Sequence, residues 1–474
     1  MQLVAYGAQD IYLTGNPQIT FFKVVYRRHT NFSMEAIQQT FNGSLVTGES
    51  VLSSTISRNG DLIHNMWLDV VMKIDGLNRD TSFGGASIGN DDTYVSWTNN
   101  TGHALVKECE IEIGGQLIDR HYSQWLDINT WLTDKDKLEF NGLNIHSNRT
   151  YMKTFHAPSK KSGRAEDWGT LGLHPNTHLI DTDPEERFGS GNFTMFDLQL
   201  YIPLKFWFCR NPGLALPLIA LQYHEVKFNL TTRNIDALIN TNVERNGGSN
   251  ITEPPEIKLY VDYIYLDTDE RRRFAQVSHE YLIEQVQSES NTYQETMSLN
   301  FNHPVKELIW VNQDDNVVSE RTIDGLSDYP ENTSGINLVN GNDYFNYMSN
   351  EHLQSLSSHR ENISEQYVVE AFDTMKLQLN GHDRFEARKA SYFRNCQPVQ
   401  AGHKCPEKHI YCYSFALKPE EHQPSGTCNF SRIDDARIIF SNAPPNSGMT
   451  VTVYAINYNV LRIMSGMGGL AYSN

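Results

Sequence analysis

An internal repeat constrains this chain more than any other feature of its sequence. IEIGGQLIDRHY (111–122) resembles LQLNGHDRFEAR (377–388): a strand, a glycine turn, then Asp-Arg. RNGDLIHNMWLDV (58–70) resembles LNFNHPVKELIWV (299–311). IPLKFWFCRNPGLALP (202–217) matches SFALKPEEHQPSGTCN (414–429), each a strand exit followed by a proline-marked turn. VDYIYLDTDERRRF (261–274) matches VYAINYNVLRIM (453–464), an aromatic strand closing each half. Each match is weak alone, but all four recur in one order. The order predicts two copies of one β-unit, joined at the polar stretch DTDERRRFAQVSHE. The expected division is an arm over 1–30, a first unit over 31–266, a linker over 267–280 and a second unit over 281–474.

The local signals agree with β-units. Asn-Gly pairs at 42–43, 59–60, 141–142, 246–247, 340–341 and 380–381 are hairpin signals. Between them lie strand-like runs at 51–57, 62–72, 105–113, 257–266, 373–379 and 451–460. Many short strands with regular turns read as sandwiches or barrels. Helical pattern is confined to short stretches, 121–132 and 269–276. Two polar segments, 140–196 and 311–370, break the rhythm. Irregular stretches beyond about 12–15 residues are usually functional or disordered, and these two differ between the halves as binding loops on a repeated scaffold do.

Composition narrows the function. The 474 residues carry a net charge of −18, the opposite of the cationic footprint that displaces counterions from nucleic acid. No run approaches the roughly 18 apolar residues of a membrane helix. The opening MQLVAYGAQDIYL has neither a basic nor an apolar signal region, so no signal peptide is expected. Six cysteines (109, 209, 396, 405, 412 and 428) are too few for a disulfide scaffold. Cys405 and Cys412, near His403 and His409, lack the paired spacing of a zinc site and read as reduced thiols. No metal and no cofactor is expected.

Catalytic motifs are missing. His224-Glu225 would point to opposite faces of a strand, and His224, alternating with Val226, Phe228 and Leu230, reads as a core residue. Asp267-x-Asp269 fails as a calcium loop, with Arg272 where Gly is needed and Ser278 where Glu is needed. Gly466-Met467-Gly468-Gly469 has no helix behind it to bind phosphate. G-x-S-x-G, H-E-x-x-H and the phosphate-binding P-loop are absent from the sequence. Paired carboxylates of a glycosidase are set by space, not sequence, so that reading and a carbohydrate-binding β-sandwich stay open as rivals at this point. Asp119-Arg120 and Asp383-Arg384 follow the glycine turns at Gly115 and Gly381; they read as arginines satisfying turn carbonyls at equivalent corners. Asn59-Gly60 reads as a two-residue turn needing positive φ at both positions.

Longer motifs identify a family. LVAYGAQD (3–10) and YLTGNPQITFFK (12–23), with SRNGDLI, IEIGGQLID, NPGLALPLIALQYHEVK, VDYIYLDT, FNHP, QPSGTCNFSRID and NYNVLRIMSGMGGLAY, resemble major capsid proteins of nucleocytoplasmic large DNA viruses, of chlorovirus, marseillevirus and iridovirus type. The resemblance runs from residue 2 to the last residues; segments 140–196 and 311–370 match nothing in it. It implies an all-β chain of two tandem eight-stranded antiparallel jelly rolls with long outer loops and short helices. It implies a structural protein, not an enzyme: a homotrimeric, pseudo-hexagonal capsomer that tiles an icosahedral shell and is assembled in the host cytoplasm. Implied partners are other copies of itself and minor capsid proteins beneath the shell, with host surface glycans as a further candidate, and no direct contact with nucleic acid. The arm, with Lys23, Arg27 and Arg28, is then expected on the inner face. The outer loops hold four of ten N-x-S/T sequons, at Asn148, Asn192, Asn332 and Asn362, as candidate glycan sites.

Overall fold

The computed structural model describes residues 8–72, 95–97, 100–133, 198–241, 254–318, 344–345, 347, 370–441 and 448–472, apart from Ile19, Lys23, Val25, Arg27 and Glu407. The sequons at Asn148, Asn192, Asn332 and Asn362 lie outside these residues, as do Lys23 and Arg27.

Sixteen strands carry the architecture. The first half contributes β1 (Phe32–Gln39), β2 (Ser50–Thr55), β3 (Leu62–Met72), β4 (Val106–Ile113), β5 (Gln116–Tyr122), β6 (Leu198–Pro203), β7 (Val226–Thr232) and β8 (Glu256–Leu266). The second contributes β9 (His279–Thr292), β10 (Thr296–Ser298), β11 (Pro304–Asp314), β12 (Thr374–Leu379), β13 (His382–Asp383), β14 (Ile410–Ser414), β15 (Ala436–Ser441) and β16 (Met449–Met464). The first half forms sheets ordered β1-β8-β3-β6 and β2-β7-β4-β5. The second forms β9-β16-β11-β14 and β10-β15-β12-β13. Adding eight to each label of the first half yields the second, and every one of these ladders is antiparallel. Two four-stranded sheets wound in this order are a jelly roll, so the chain is a double jelly roll. All four sequence matches fall on equivalent elements. Even the small strands recur: Leu216–Pro217 extends β3, and Cys428–Asn429 extends β11.

Burial explains two kinds of strand pattern. In β7, VKFNLTT alternates buried and half-exposed positions, with Val226, Phe228, Leu230 and Thr232 inward. This is the period-two signature of a sheet with one face on a core. In β11 and β16 the alternation is lost because both faces are covered. Leu308, Trp310, Val451, Val453 and Ala455 point into the core of the second roll. Ile309, Val311, Tyr454 and Ile456 point the other way, into the larger core of the first roll. The runs ELIWV and TVYAINYNV are therefore buried on both faces, with Glu307, Asn457 and Asn459 among the apolar side chains, because their sheet is sandwiched between two cores.

Two helices lie at the junctions. α1 (Ser123–Thr133) follows β5 and is almost wholly buried, Trp125 packing on Tyr454 at 5.3 Å. α2 (Thr268–Gln276) links β8 to β9. The Asp267 side chain caps it, accepting from Glu270 N–H at 3.0 Å, which satisfies an otherwise orphan donor.

The two ends of the molecule differ. At one end the connections are tight. Gly114 N–H donates to Glu225 O (2.9 Å), Ile219 N–H to Asp61 O (3.1 Å) and Tyr223 N–H to Gly466 O (2.9 Å). At the other end, Met72 pairs with Leu198 and Val71 with Glu256, so 73–94 leaves, and 134–197 and 242–253 return, at neighbouring strand termini. In the second roll Asp314 pairs with Met449, and the segment after β11 leaves from that same end. β11 itself runs to Asp314, so the stretch expected to be irregular from 311 begins later.

Candidate assembly surfaces

The seam between the rolls is polar as well as apolar, and its charges are buried. Asp127 of α1 is fully buried and accepts from Lys408 Nζ at 3.0 Å, from Tyr347 O–H at 2.7 Å and from Asn100 Nδ2 at 3.1 Å. The Lys408 ammonium lies 5.1–5.5 Å from the ring centres of Tyr347, Phe345 and Trp131. A caged ammonium gains cation–π attraction where water is excluded. The segment around residues 344–347 is held further by Tyr344, whose hydroxyl donates to Ala237 O at 2.7 Å and whose ring lies 4.0 Å under Arg233. A segment inserted in the second roll is thus anchored on the first.

A second set centres on buried Glu284 of the second roll, which accepts from Arg210 of the first roll at 2.8 Å and from buried Lys306 of its own roll at 2.9 Å, with Arg210 at the exposed edge. Burial alone would raise the Glu284 carboxyl, but Arg210 and Lys306 hold it below the ordinary range. The Lys306 ammonium is pulled down by burial, with Glu284 opposing. Beneath β14, His403 bridges Glu307 (2.6 Å) and Glu420 (2.7 Å). Burial disfavours its charge, yet the two carboxylates outweigh that and lift it to about 9. Such paired buried charges contribute orientation more than net stability. The same dielectric reason keeps three of the thiols protonated: burial raises Cys109 and Cys412 and pushes Cys209 up to about 12.

The singled-out turn residues separate into two groups. Gly115 (φ +81°) and Gly381 (φ +79°) occupy matching two-residue turns, after Gly114 (φ +60°) and Asn380 (φ +49°). Both turns have the positive φ pair of a type I′ hairpin. Asn59-Gly60 does not, since neither residue has positive φ. It lies in a bend that carries the chain from β2 to β3 in the other sheet. Gly60 is needed there for space: a Cβ would fall 2.8 Å from Tyr263 Cβ.

The two Asp-Arg pairs are not equivalent, and neither arginine is bonded to turn carbonyls through its guanidinium. Arg120 pairs with Glu108 (3.2 Å) and Glu110 on the neighbouring strand. Buried Asp119 faces His121 at 3.0 Å and accepts from Val286 N–H of the second roll at 3.2 Å. Asp383 is exposed and pairs with Lys376 at 3.0 Å; Arg384 joins the ladder through its own N–H to Leu377 O (2.7 Å). His224 is not on a strand face either. It stands half-buried before β7, its Nδ1 2.8 Å from Gly468 O, in the glycine segment that ends the second roll. That segment, Met467–Leu470, is a strand turned back on β16. Arg28 of the arm is exposed.

The comparisons decide what such a molecule is. Residues 20–267 match the family described as major capsid protein N-terminus, and residues 270–469 the family described as large eukaryotic DNA virus major capsid protein. The chain belongs to the major capsid proteins of large eukaryotic DNA viruses. It is 42% identical to the major capsid protein of Phaeocystis pouchetii virus and 41% identical to that of Paramecium bursaria Chlorella virus 1, with 100% of this chain and 99% of each relative covered. Against a quasi-atomic model of the PBCV-1 virus capsid, the TM-score is 0.61 at 36% identity, covering 96% of this chain and all of the other. The Faustovirus major capsid protein shares the fold, with a TM-score of 0.65 at 14% identity over 97% of this chain and 94% of that one. A major capsid protein is a virion component and a structural protein rather than an enzyme. No helix among the described residues is long and apolar enough to cross a membrane.

Proposed function

We propose that three copies of this chain form a capsomer of pseudo-hexagonal outline, and that these capsomers tile the facets of an icosahedral shell. The carrying observation is the doubled jelly roll with one strand order in both halves. Six similar rolls per trimer approximate six-fold shape from three-fold symmetry. The chain divides at 267–280, with 31–266 and 281–474 as the two rolls. The end from which the long segments leave faces outward, and any glycans at Asn148, Asn192, Asn332 or Asn362 would project there, as would contacts to host surface glycans. The tight-turn end faces inward, towards minor capsid proteins, and assembly takes place in the host cytoplasm.

Sizing with light scattering tests the trimer: the expected mass is three times 54.2 kDa. Obligate interfaces of this kind bury on the order of 2,000–5,000 Å² and leave no stable monomer. A folded monomer at nanomolar concentration with an unchanged melting temperature would overturn the proposal.

A further inference from the structure

Within one chain the two rolls offer unlike faces to each other. The second roll presents the outer face of β9-β16-β11-β14, where Ile309, Val311, Ile410, Cys412 and Tyr454 pack into the core of the first roll. The first roll presents β5 and α1: Ile118 O accepts from Gln285 Nε2, and Trp125 lies 5.3 Å from Tyr454. A head-to-tail contact of this kind leaves one surface of each sort unused, and repeating it between chains builds a ring or a filament.

The strand ladders identify the unused face of the first roll residue by residue. The core pairs Leu308–Ala455 and Met66–Val261 occupy matching places in the two rolls. One position further on, Ile309 pairs with Tyr454 and Cys412, while Trp67 pairs with Tyr260 and Pro203. Two positions beyond, Val311 pairs with Ile410 and Asp69 with Tyr201. The counterpart of a buried apolar face is thus an aromatic one, with the Trp67 ring centre 6.2 Å from those of Tyr201 and Tyr260. β5 lies in the opposite sheet of that roll, and Trp67, Tyr201 and Tyr260 remain half-exposed in the single chain. Tryptophan and tyrosine are the side chains that most often anchor an interface.

The same correspondence selects the occupant. In the second roll the counterpart of β5 and α1 is β13 and the helical stretch after it, Tyr392–Cys396 and Gln397–Ala401. Val399 of this stretch is 62% exposed, beside buried Gln397 and Pro398. The charges agree. Between residues 384 and 404, Arg394 is paired with Glu370, and Arg384, Arg388, Lys389 and Lys404 stand against Glu386, a charge of +3 in a chain of −18. The aromatic face carries Asp69 and Asp262 against Lys258, so it is matched to the basic stretch and not to another copy of itself. We infer that the Trp67/Tyr201/Tyr260 face docks on Val399 and the basic helical stretch of a second copy, reproducing between chains the contact that joins the rolls within one. This names the contact behind the trimer reading and rests on it.

The test replaces Tyr260 of the full-length protein with the photo-crosslinking residue benzoylphenylalanine, with mass followed by light scattering. The expected result is covalent dimers on a denaturing gel, with the crosslink mapped to the peptide that holds Val399. Val399→Glu should lower the dimer yield about tenfold, since it sets a carboxylate against aromatic rings and two aspartates, while Val399→Leu keeps it. Trimers that crosslink only within one chain, to the Trp67 face of a second copy or to another surface overturn this contact and leave the trimer standing, as does full yield in Val399→Glu. A folded chain of monomeric mass overturns the trimer itself and the contact with it.

Discussion

Gly381 and Gly60 show how one residue type answers two different demands. Gly381 has open space where a Cβ would go but φ +79°; Gly60 has ordinary φ but Tyr263 within 2.8 Å. Gly381→Val is expected to cost about 1–3 kcal/mol through backbone strain, and Gly60→Val about 1–3 kcal/mol through overpacking. Asparagine separates the causes, since it tolerates the left-handed region. Gly381→Asn should keep the wild-type melting temperature while Gly60→Asn lowers it; equal losses would contradict this account. His403 offers a pH test. Its folded value, about 9, lies above the ordinary 6.5, so its contribution is complete below about pH 6.5 and is lost as pH rises through 9. The melting temperature should fall between pH 7 and 10, and His403→Gln should start lower and flatten that fall. An unchanged slope in the variant would place the alkaline transition elsewhere.

At the scale of elements, α2 is the informative piece. It fully buries none of its residues; Phe274 packs half-buried against Leu62, Ala215 and Ile264, and one ion pair fixes the helix further. Arg271 chelates Asp61 at 2.9 and 3.0 Å, and Asp61 also accepts from Leu266 N–H at 2.9 Å. Arg271→Ala leaves a nearly buried carboxylate without both guanidinium contacts, at a cost of about 1–3 kcal/mol. Because the loss is local, hydrogen exchange should quicken in α2 and at the end of β8 while the second roll's core stays protected. Uniform quickening through both rolls would mean that α2 is not an independent clasp.

For the whole molecule, the strand termini gather the long segments at one end. Limited proteolysis of intact particles is expected to cut within 140–196 and 319–369. Protection of both windows with cleavage elsewhere would put them in interfaces and reverse the assignment of outer and inner faces. The anchoring of residues 344–347 by Asp127, Ala237 and Arg233 predicts that cleavage spares that short stretch.

Much of this was legible in the sequence because it is local. The places of several strands, the Asn380-Gly381 turn, the helix after β5 and the repeat all show in periodicity and turn chemistry along the chain, and motif resemblance extended them to a double jelly roll. Asn59-Gly60 misled because a dipeptide reports turn tendency, not whether the next strand pairs with the last or crosses to another sheet. Asp119-Arg120 and Asp383-Arg384 misled because recurrence in sequence does not fix which face of a roll meets its neighbour. The charged seam had no local signal at all: Lys408 and Asp127 lie 281 positions apart, and His403 and Glu307 lie 96 apart. Such pairs exist only once two sheets are stacked and water is excluded between them, and it was that stacking, not any pattern along the chain, that decided them.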